Sequence, residues 1–427
     1  MWNKLASSLG LPGSGEGFRR YFFNTGWLAG LQFFSLLTSF FIGAWVARSL
    51  GPGQYGLFSY SLSFAGLFSL LAGLGVDSII YRDLVRRPEK SRELLGSGLA
   101  IKLWSGLGAW LAASGLAWFY IPSGIGRLIV SLVSFSYVVG AFNIIDLLFK
   151  ARVESKYSAQ SQVFAIVVAS LLKIVFIITG AGLAWLAAIY LLESVFLAAA
   201  LLLSYRRRRL NLGWWRPDSK LTKYLLKSSW PLLLSGLSAF ALLKVDQVMI
   251  GAYLGETAVG LYAAAAKLSE VWYFIPGIIC SSLFPSIIQA RANNTDLYRQ
   301  RIAYLYWLLF ILGVLIAFLL SGAAGFLVNL LFGESFVGAT PIAAIYAWST
   351  IGWFLAGGLW YKLMAENRLK LLFFSSAFLL SANVILNTFF IQRSGIMGAA
   401  WATVISYSLI VIFIIHSRYH ENSSSGN

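Results

Sequence analysis

Uncharged apolar stretches close to 20 residues long recur from one end of this chain to the other. Each is long enough to cross a hydrocarbon layer of about 30 Å as a helix. Inside such a layer the backbone must satisfy its own hydrogen bonds, so stretches of this length are expected to be helical. Only 11% of the 427 residues are charged and 59% are hydrophobic, whereas a soluble domain of this size carries about 25% charged residues. No polar segment is long enough for a separate soluble domain. The N-terminus, MWNKLASSLGLPGSGEGFRR, is polar and Gly-rich, and the apolar run after it is too long for a signal-peptide core.

The expected fold class is an all-α polytopic membrane protein with twelve transmembrane helices. Spans are expected at 21–47, 57–80, 96–120, 124–149, 161–180, 183–204, 229–253, 259–286, 302–322, 341–364, 371–391 and 398–416. The stretch 323–340 is apolar but short and is expected to be a loop or re-entrant turn. The single cysteine, Cys280, has no disulfide partner in the chain and is expected to pack as a small apolar residue.

The net charge is +17, which would suit nucleic acid, but the placement of the cations argues otherwise. When the loops between spans are assigned to alternate sides, 26 of the 33 Lys and Arg residues fall on one side. Only Arg48, Arg127 and Arg393 fall on the other, and Lys102, Lys173, Lys244 and Lys267 lie within spans. Loops rich in Lys and Arg stay cytoplasmic. Both termini are therefore expected inside, no nucleic-acid partner is expected, and the basic loops face anionic lipid.

Two segments repeat one pattern. LGPGQYGLF at 50–58 and LGETAVGLY at 254–262 both read L-G-x-x-x-x-G-L-aromatic, 204 residues apart. KARVESK at 150–156 echoes KLMAENR at 362–368, and GLAW at 182–185 echoes GAAW at 398–401, with offsets of 212 and 216. Three echoes in one order imply a duplicated half. Six spans per half, both starting inside, make the repeat parallel, with its axis along the membrane normal. The expected parts are an N-terminal segment 1–20, a first lobe 21–204, a basic linker 205–228, a second lobe 229–416 and a tail 417–427. The linker, with Trp214 and Trp215 side by side, suits the headgroup region. It serves as an ordinary topology-fixing loop or as a surface strap between rocking lobes. Loop 82–95 can form a short interfacial helix interrupted at Pro88.

Ionisable side chains within spans are costly and mark partners or a wet cavity. Lys244 and Lys267 lie about 14 Å and 12 Å below the outer ends of their spans, at 1.5 Å per residue. Asp246 and Glu270 are close to the same level, so four ionisable groups share a depth near the midplane. Two lysines there could attract a phosphate or diphosphate, and the acids could tune them or titrate during transport. The plain alternative is a pair of mutually neutralising ion pairs. Lys267 and Glu270, at i and i+3, can meet on one helix face. Lys244 and Asp246, at i and i+2, point apart, so Lys244 needs a partner elsewhere or water. Lys173 and Glu193 on adjacent spans form a possible structural or coupling pair. Lys102, Asp77 and Asp146 sit near cytoplasmic ends, where snorkelling or capping is expected. Asn383 and Asn387, at i and i+4, suit helix–helix hydrogen bonding. No phosphate-cradling loop, nucleophile triad or metal-ligand spacing occurs, so no catalytic, metal or cofactor site is expected, His416 and His420 included.

ARSLGPGQYGLFSYSLSF and GLGVDSIIYRDL resemble the opening of oligosaccharide flippases of the polysaccharide transporter family (Wzx-like). That family lies within the multidrug/oligosaccharidyl-lipid/polysaccharide superfamily. KVDQVMIG at 244–251 and VGLYAAAAKLSEVWYFIP at 259–276 are similar to its seventh and eighth spans, and SANVILNTFFIQRSGIMGAAWATVIS at 381–406 resembles its eleventh and twelfth. The resemblance implies two six-helix lobes around a central cavity bordered by Lys244, Asp246, Lys267 and Glu270. It implies movement of a polyprenyl-diphosphate-linked glycan across the cell (inner) membrane, for O-antigen, capsule or exopolysaccharide synthesis. Alternating access would be driven by a coupling ion such as H⁺ or Na⁺, by the membrane potential or by downstream use of the glycan. A glycan polymerase and glycosyltransferases are the implied protein partners. Two other functions fit the same sequence: a cation-coupled multidrug antiporter of the related branch, whose cavity should favour acids over lysines, and a non-transporting scaffold of a glycan-synthesis complex.

Overall fold

The structure, a computed structural model, describes residues 15–208 and 215–416. Residues 1–14, Trp214, His420 and the tail 417–427 lie outside the described residues. Within them the secondary structure is helical, with no strand. Nine helical runs are long and apolar enough to cross a membrane, or ten if the bent pair Glu334–Tyr346 and Ser349–Ala365 is one span. Two runs are too long for a single crossing. Gly26–Arg86 has 61 residues, about 90 Å if straight, and Lys370–His416 has 47, about 70 Å. Both are interrupted where the sequence expects a turn, at Gly51 (φ 71°, ψ 170°) and at Gly395 (φ 60°, ψ −138°).

The first half holds α1 (15–50), α2 (52–66), α3 (Ser69–Gly73), α4 (Val76–Arg86), α5 (Ser91–Tyr120), α6 (Gly124–Val139), α7 (Ile144–Ala151), α8 (Ser155–Thr179) and α9 (Leu183–Arg207). The second holds α10 (Ser219–Leu254), α11 (Glu256–Glu270), α12 (Ile275–Asn293), α13 (Thr295–Gly322), α14 (Ala324–Phe332), α15 (Thr340–Tyr346), α16 (Ser349–Ala365), α17 (369–394) and α18 (396–408). α1 begins ahead of the expected start at 21. The loop expected at 323–340 is instead helical, as α14 and a 3₁₀ turn over Glu334–Ala339. Val328, Phe332 and Phe336 there are fully buried, so packing holds what length alone made look like a loop. Loop 82–95 divides at Pro88 into the end of α4, one 3₁₀ turn and the start of α5.

The duplication is written in the backbone. Gly51 (φ 71°, ψ 170°) and Gly255 (φ 85°, ψ −179°) hold the same conformation, one that only glycine enters without strain. A helix restarts directly after each, with Pro52 suited to the first position of α2. The second echo needs correcting. α7 ends with Arg152 N–H on Leu148 O, Glu154 N–H on Phe149 O and Val153 at φ 57°. α16 ends with Glu366 N–H on Lys362 O, Arg368 N–H on Leu363 O and Asn367 at φ 57°. These equivalent turns set the offset at 214, so the letter match at 212 is slipped by two residues.

By packing, the chain forms two compact units. One joins the described residues up to Gly43 with Phe68–Leu233, and the other joins Ala44–Leu67 with Leu234 onward. In the first, Ile80, Leu94, Ile144, Phe149 and Leu201 form a buried core on α4, α5, α7 and α9. The end of the basic linker docks onto α5: Arg216 N–H reaches Arg92 O at 3.4 Å and Asp218 N–H reaches Ser97 Oγ at 2.9 Å. Asp218 Oδ1 then accepts the N–H of Leu221 at 2.8 Å, capping the start of α10. Trp215 donates its ring N–H to Tyr205 Oη at 2.7 Å. Lys102 does not snorkel as expected. It is buried, and its ammonium lies 2.9 Å from the half-exposed carboxylate of Asp77. Asp146 pairs with Lys150 one turn on, at 2.6 Å.

In the second unit Cys280, Leu309, Phe354, Leu359 and Tyr407 lie in one buried core, with Cys280 packed as an apolar residue. α2 runs antiparallel along α10. Gly66 lies against Phe240, Ser63 Oγ donates to Gln247 Oε1 at 2.6 Å, and Tyr60 covers Gly251.

Candidate functional site

α10 carries Lys244 on one face and Asp246 on the other, as the i, i+2 spacing requires. The two faces meet different chemistry.

Asp246 is 2% exposed and receives three neutral donors. Tyr262 Oη from α11 and Thr403 Oγ1 from α18 each donate to Oδ2 at 2.6 Å, and Asn387 Nδ2 from α17 donates to Oδ1 at 2.7 Å. Asn387 Nδ2 also lies 3.0 Å from Asn383 Oδ1, and Asn383 Nδ2 donates to Ser406 Oγ at 3.2 Å. The amide pair thus bonds between helices, as its spacing suggests. Asn387 Oδ1 is buried with no hydrogen-bond partner among the described residues. Three helices therefore converge polar side chains on a carboxylate carried by a fourth, and no Lys or Arg forms an ion pair with it among the described residues. Three donors suit the ionised form, while burial without a cation opposes it.

Lys244 lies on the more exposed face. Its ammonium is 3.7 Å from Glu270 Oε2, with side-chain exposures of 28% and 24%. Glu270 Oε1 accepts a hydrogen bond from Tyr346 at 3.3 Å. Lys244 thus finds its partner on another helix. The separation exceeds that of a tight charge-assisted bond, about 2.7–2.9 Å. Lys267 is half-buried on α11, one turn before Glu270. The structure brings Lys244 and Glu270 together and sets Asp246 apart in its own polar shell. In the first unit, Lys173 Nζ lies 2.9 Å from Glu193 Oε2 and 4.6 Å above the ring of Tyr190.

Tyr262, Thr403 and Tyr346 escape a reading based on charge alone. A signal for Tyr262 was present: it is the closing aromatic of the repeated motif, and its counterpart 204 residues earlier is Phe58. Asp246 corresponds in the same way to Ile42. Where one copy has a carboxylate and a phenol, the other has an alkyl chain and a phenyl ring.

Comparison with known proteins agrees with this architecture. The chain is 23% identical over 411 residues to the probable low-salt glycan biosynthesis flippase Agl15 of Haloferax volcanii, covering 92% of this chain and 80% of that one. It is 25% identical over 410 residues to the probable flippase AglR of the same organism, covering 91% and 82%. The fold is shared with a multidrug resistance MATE family transporter of the MOP superfamily in an inward-facing conformation (TM-score 0.72, 17% identity, 92% of this chain and 96% of that one). It is shared also with the lipid II flippase MurJ in an inward closed conformation (TM-score 0.67, 15% identity, 90% and 87%). Residues 22–291 match the family described as polysaccharide biosynthesis protein, well over half of the 427 residues. This multi-pass membrane chain belongs to that family.

Proposed function

We propose that the protein is a flippase that moves a polyprenyl-diphosphate-linked oligosaccharide from the cytoplasmic to the outer leaflet of the cell membrane by alternating access. The glycan serves polysaccharide synthesis of the O-antigen, capsule or exopolysaccharide kind. The breaks at Gly51 and Gly395 support reading the helical runs as twelve spans, and the basic loops support both termini inside. The observation that carries the reading is the half-buried Lys244–Glu270 pair with Lys267 close by in sequence. It offers the diphosphate a cationic site, and Glu270 releases Lys244 as the phosphate arrives. Relatives named as a probable low-salt glycan biosynthesis flippase and a probable flippase support a glycan-bearing substrate.

Asp246 has a different task in this scheme. Its buried, cation-free shell supports the binding of a coupling H⁺ or Na⁺, which then answers for the energy that the chain draws from no nucleotide. A drug antiporter shares the fold, but lysines matching acids in number speak for an anionic substrate.

Alanine substitution of the lysines tests the site. In the native host deleted for this gene, Lys244→Ala and Lys267→Ala should each lower surface glycan display at unchanged protein abundance, and the double variant should lower it further. Full display from both single variants and the double variant overturns the cationic site.

A further inference from the structure

The two copies of the repeated turn meet each other. α2 and α11 cross so closely that a methyl carbon on Gly56 would overlap the carbonyl oxygen of Glu256 and come within 2.9 Å of Gly260 N. Reciprocally, a methyl carbon on Gly260 would overlap the carbonyl oxygen of Pro52 and come within 3.1 Å of Gly56 N. Pro52 and Glu256 are equivalent in the repeat, as are Gly56 and Gly260. A third equivalent pair also touches, since a Cβ at Gly53 would lie 3.6 Å from Thr257 Oγ1. Residue i of one copy thus meets residue j of the other, and j meets i, which is the signature of a two-fold contact. At its centre the helices touch backbone to backbone, as small residues permit in membranes.

The segment bearing α2 has a hinge at each end. Gly51 stands before it in the glycine-only region. After it the helix breaks at 67–68 and again, beyond the short α3, at 74–75, where Leu74 (φ 46°) and Gly75 (φ 67°) are both left-handed. α2 belongs to the first copy by sequence, yet it packs with the second.

From these contacts we propose that Gly56 and Gly260, flanked by Gly53 and Thr257, form a backbone lock that shuts the outer end of the transport path and parts once in every cycle. It is a contact of shape rather than charge. It holds only while both crossing positions lack a side chain, and the hinges at Gly51 and 67–75 let α2 leave as a rigid rod. The side it shuts rests on the flippase reading above.

A disulfide across the lock decides the matter. The 53–257 gap is close to the reach of a cysteine bridge, and Cys280 is buried, so Gly53→Cys/Thr257→Cys in a Cys280→Ala background gives one bridge. Oxidation should abolish glycan display in the deletion host and reduction should restore it, with the Cys280→Ala parent active throughout. Full display with the bridge closed overturns the lock. The second readout needs no glycan. A membrane-impermeant maleimide should label the single Gly53→Cys variant slowly, and faster when Gly56→Ala or Gly56→Leu wedges the crossing apart. Equal labelling rates with and without the wedge also overturn it. A parent that restores no display while the wedge speeds labelling would sink the flippase reading and leave the lock standing.

Discussion

Asp246→Asn separates a coupling site from a structural one. The carboxylate accepts hydrogen bonds from Tyr262, Thr403 and Asn387. Bonds to a charged acceptor contribute about 1.5–3 kcal/mol each, so the three together supply about 4.5–9 kcal/mol. Against this stands the cost of holding an ion away from water, several kcal/mol after relaxation. The two sums are of one size, so removing the charge while keeping the shape should leave stability nearly unchanged. The new amide can be accommodated, because the hydroxyls of Tyr262 and Thr403 rotate and can accept as well as donate. The expected change is within about 1 kcal/mol, and within a few degrees in a thermal unfolding assay on the detergent-purified protein. Transport should nevertheless be lost, because the site can no longer gain a positive charge.

The same assay reads the ion. A cation at a hundred times its Kd stabilises the folded state by about 2.7 kcal/mol. The wild type should therefore melt higher in Na⁺ than in choline if Na⁺ is the coupling ion, and Asp246→Asn should show no such difference. Full glycan display by Asp246→Asn refutes the coupling role. So does a loss of display matched by an equal loss of folded protein, because that would make Asp246 a structural residue only.

The buried Lys102 beside half-exposed Asp77 should respond asymmetrically: Asp77→Ala strands a buried donor and costs about 1–3 kcal/mol, whereas Lys102→Met is nearly neutral, and thermal unfolding of both with the double variant checks it. For topology, Lys156→Cys and Lys220→Cys should resist an impermeant thiol reagent added to intact cells, while Gly124→Cys reacts; the opposite pattern refutes termini on the inner side.

Much of the fold is legible from two properties of the sequence, the length of its apolar runs and the spacing of its glycines. Gly51 and Gly255 declare their turns because no other residue enters that conformation cheaply. The helix α14 is not legible, since its nine residues, apolar but for Asn329, are too short for a span, and only burial of Phe332 and Phe336 tells a packed helix from a loop. Lys102 misleads for a related reason. Snorkelling is the default for a lysine near a helix end, and the carboxylate that draws it inward lies 25 residues away on another helix. The slipped echo at 150–156 shows the limit of letters. Lys and Glu recur at 212, but the helix end is fixed by hydrogen bonds that recur at 214.

The divergence of the two copies explains why charge was a partial guide to the site. At the shared offset of 204, Lys244, Asp246, Tyr262, Lys267 and Glu270 correspond to Phe40, Ile42, Phe58, Ser63 and Gly66. The crossing glycines are kept in both copies, while the polar cluster occurs in one. A two-fold contact needs both halves to be alike, because each side must fit the other. The polar centre around Asp246 has no such need. One copy satisfies it, and a second buried carboxylate would add a desolvation cost of several kcal/mol with no further shape to gain. Apolar exchange at 42 and 58 removes the carboxylate and the phenol together, so no buried hydroxyl is left without its acceptor. The residues that stayed alike mark the crossing, and those that changed as a set mark the chemistry.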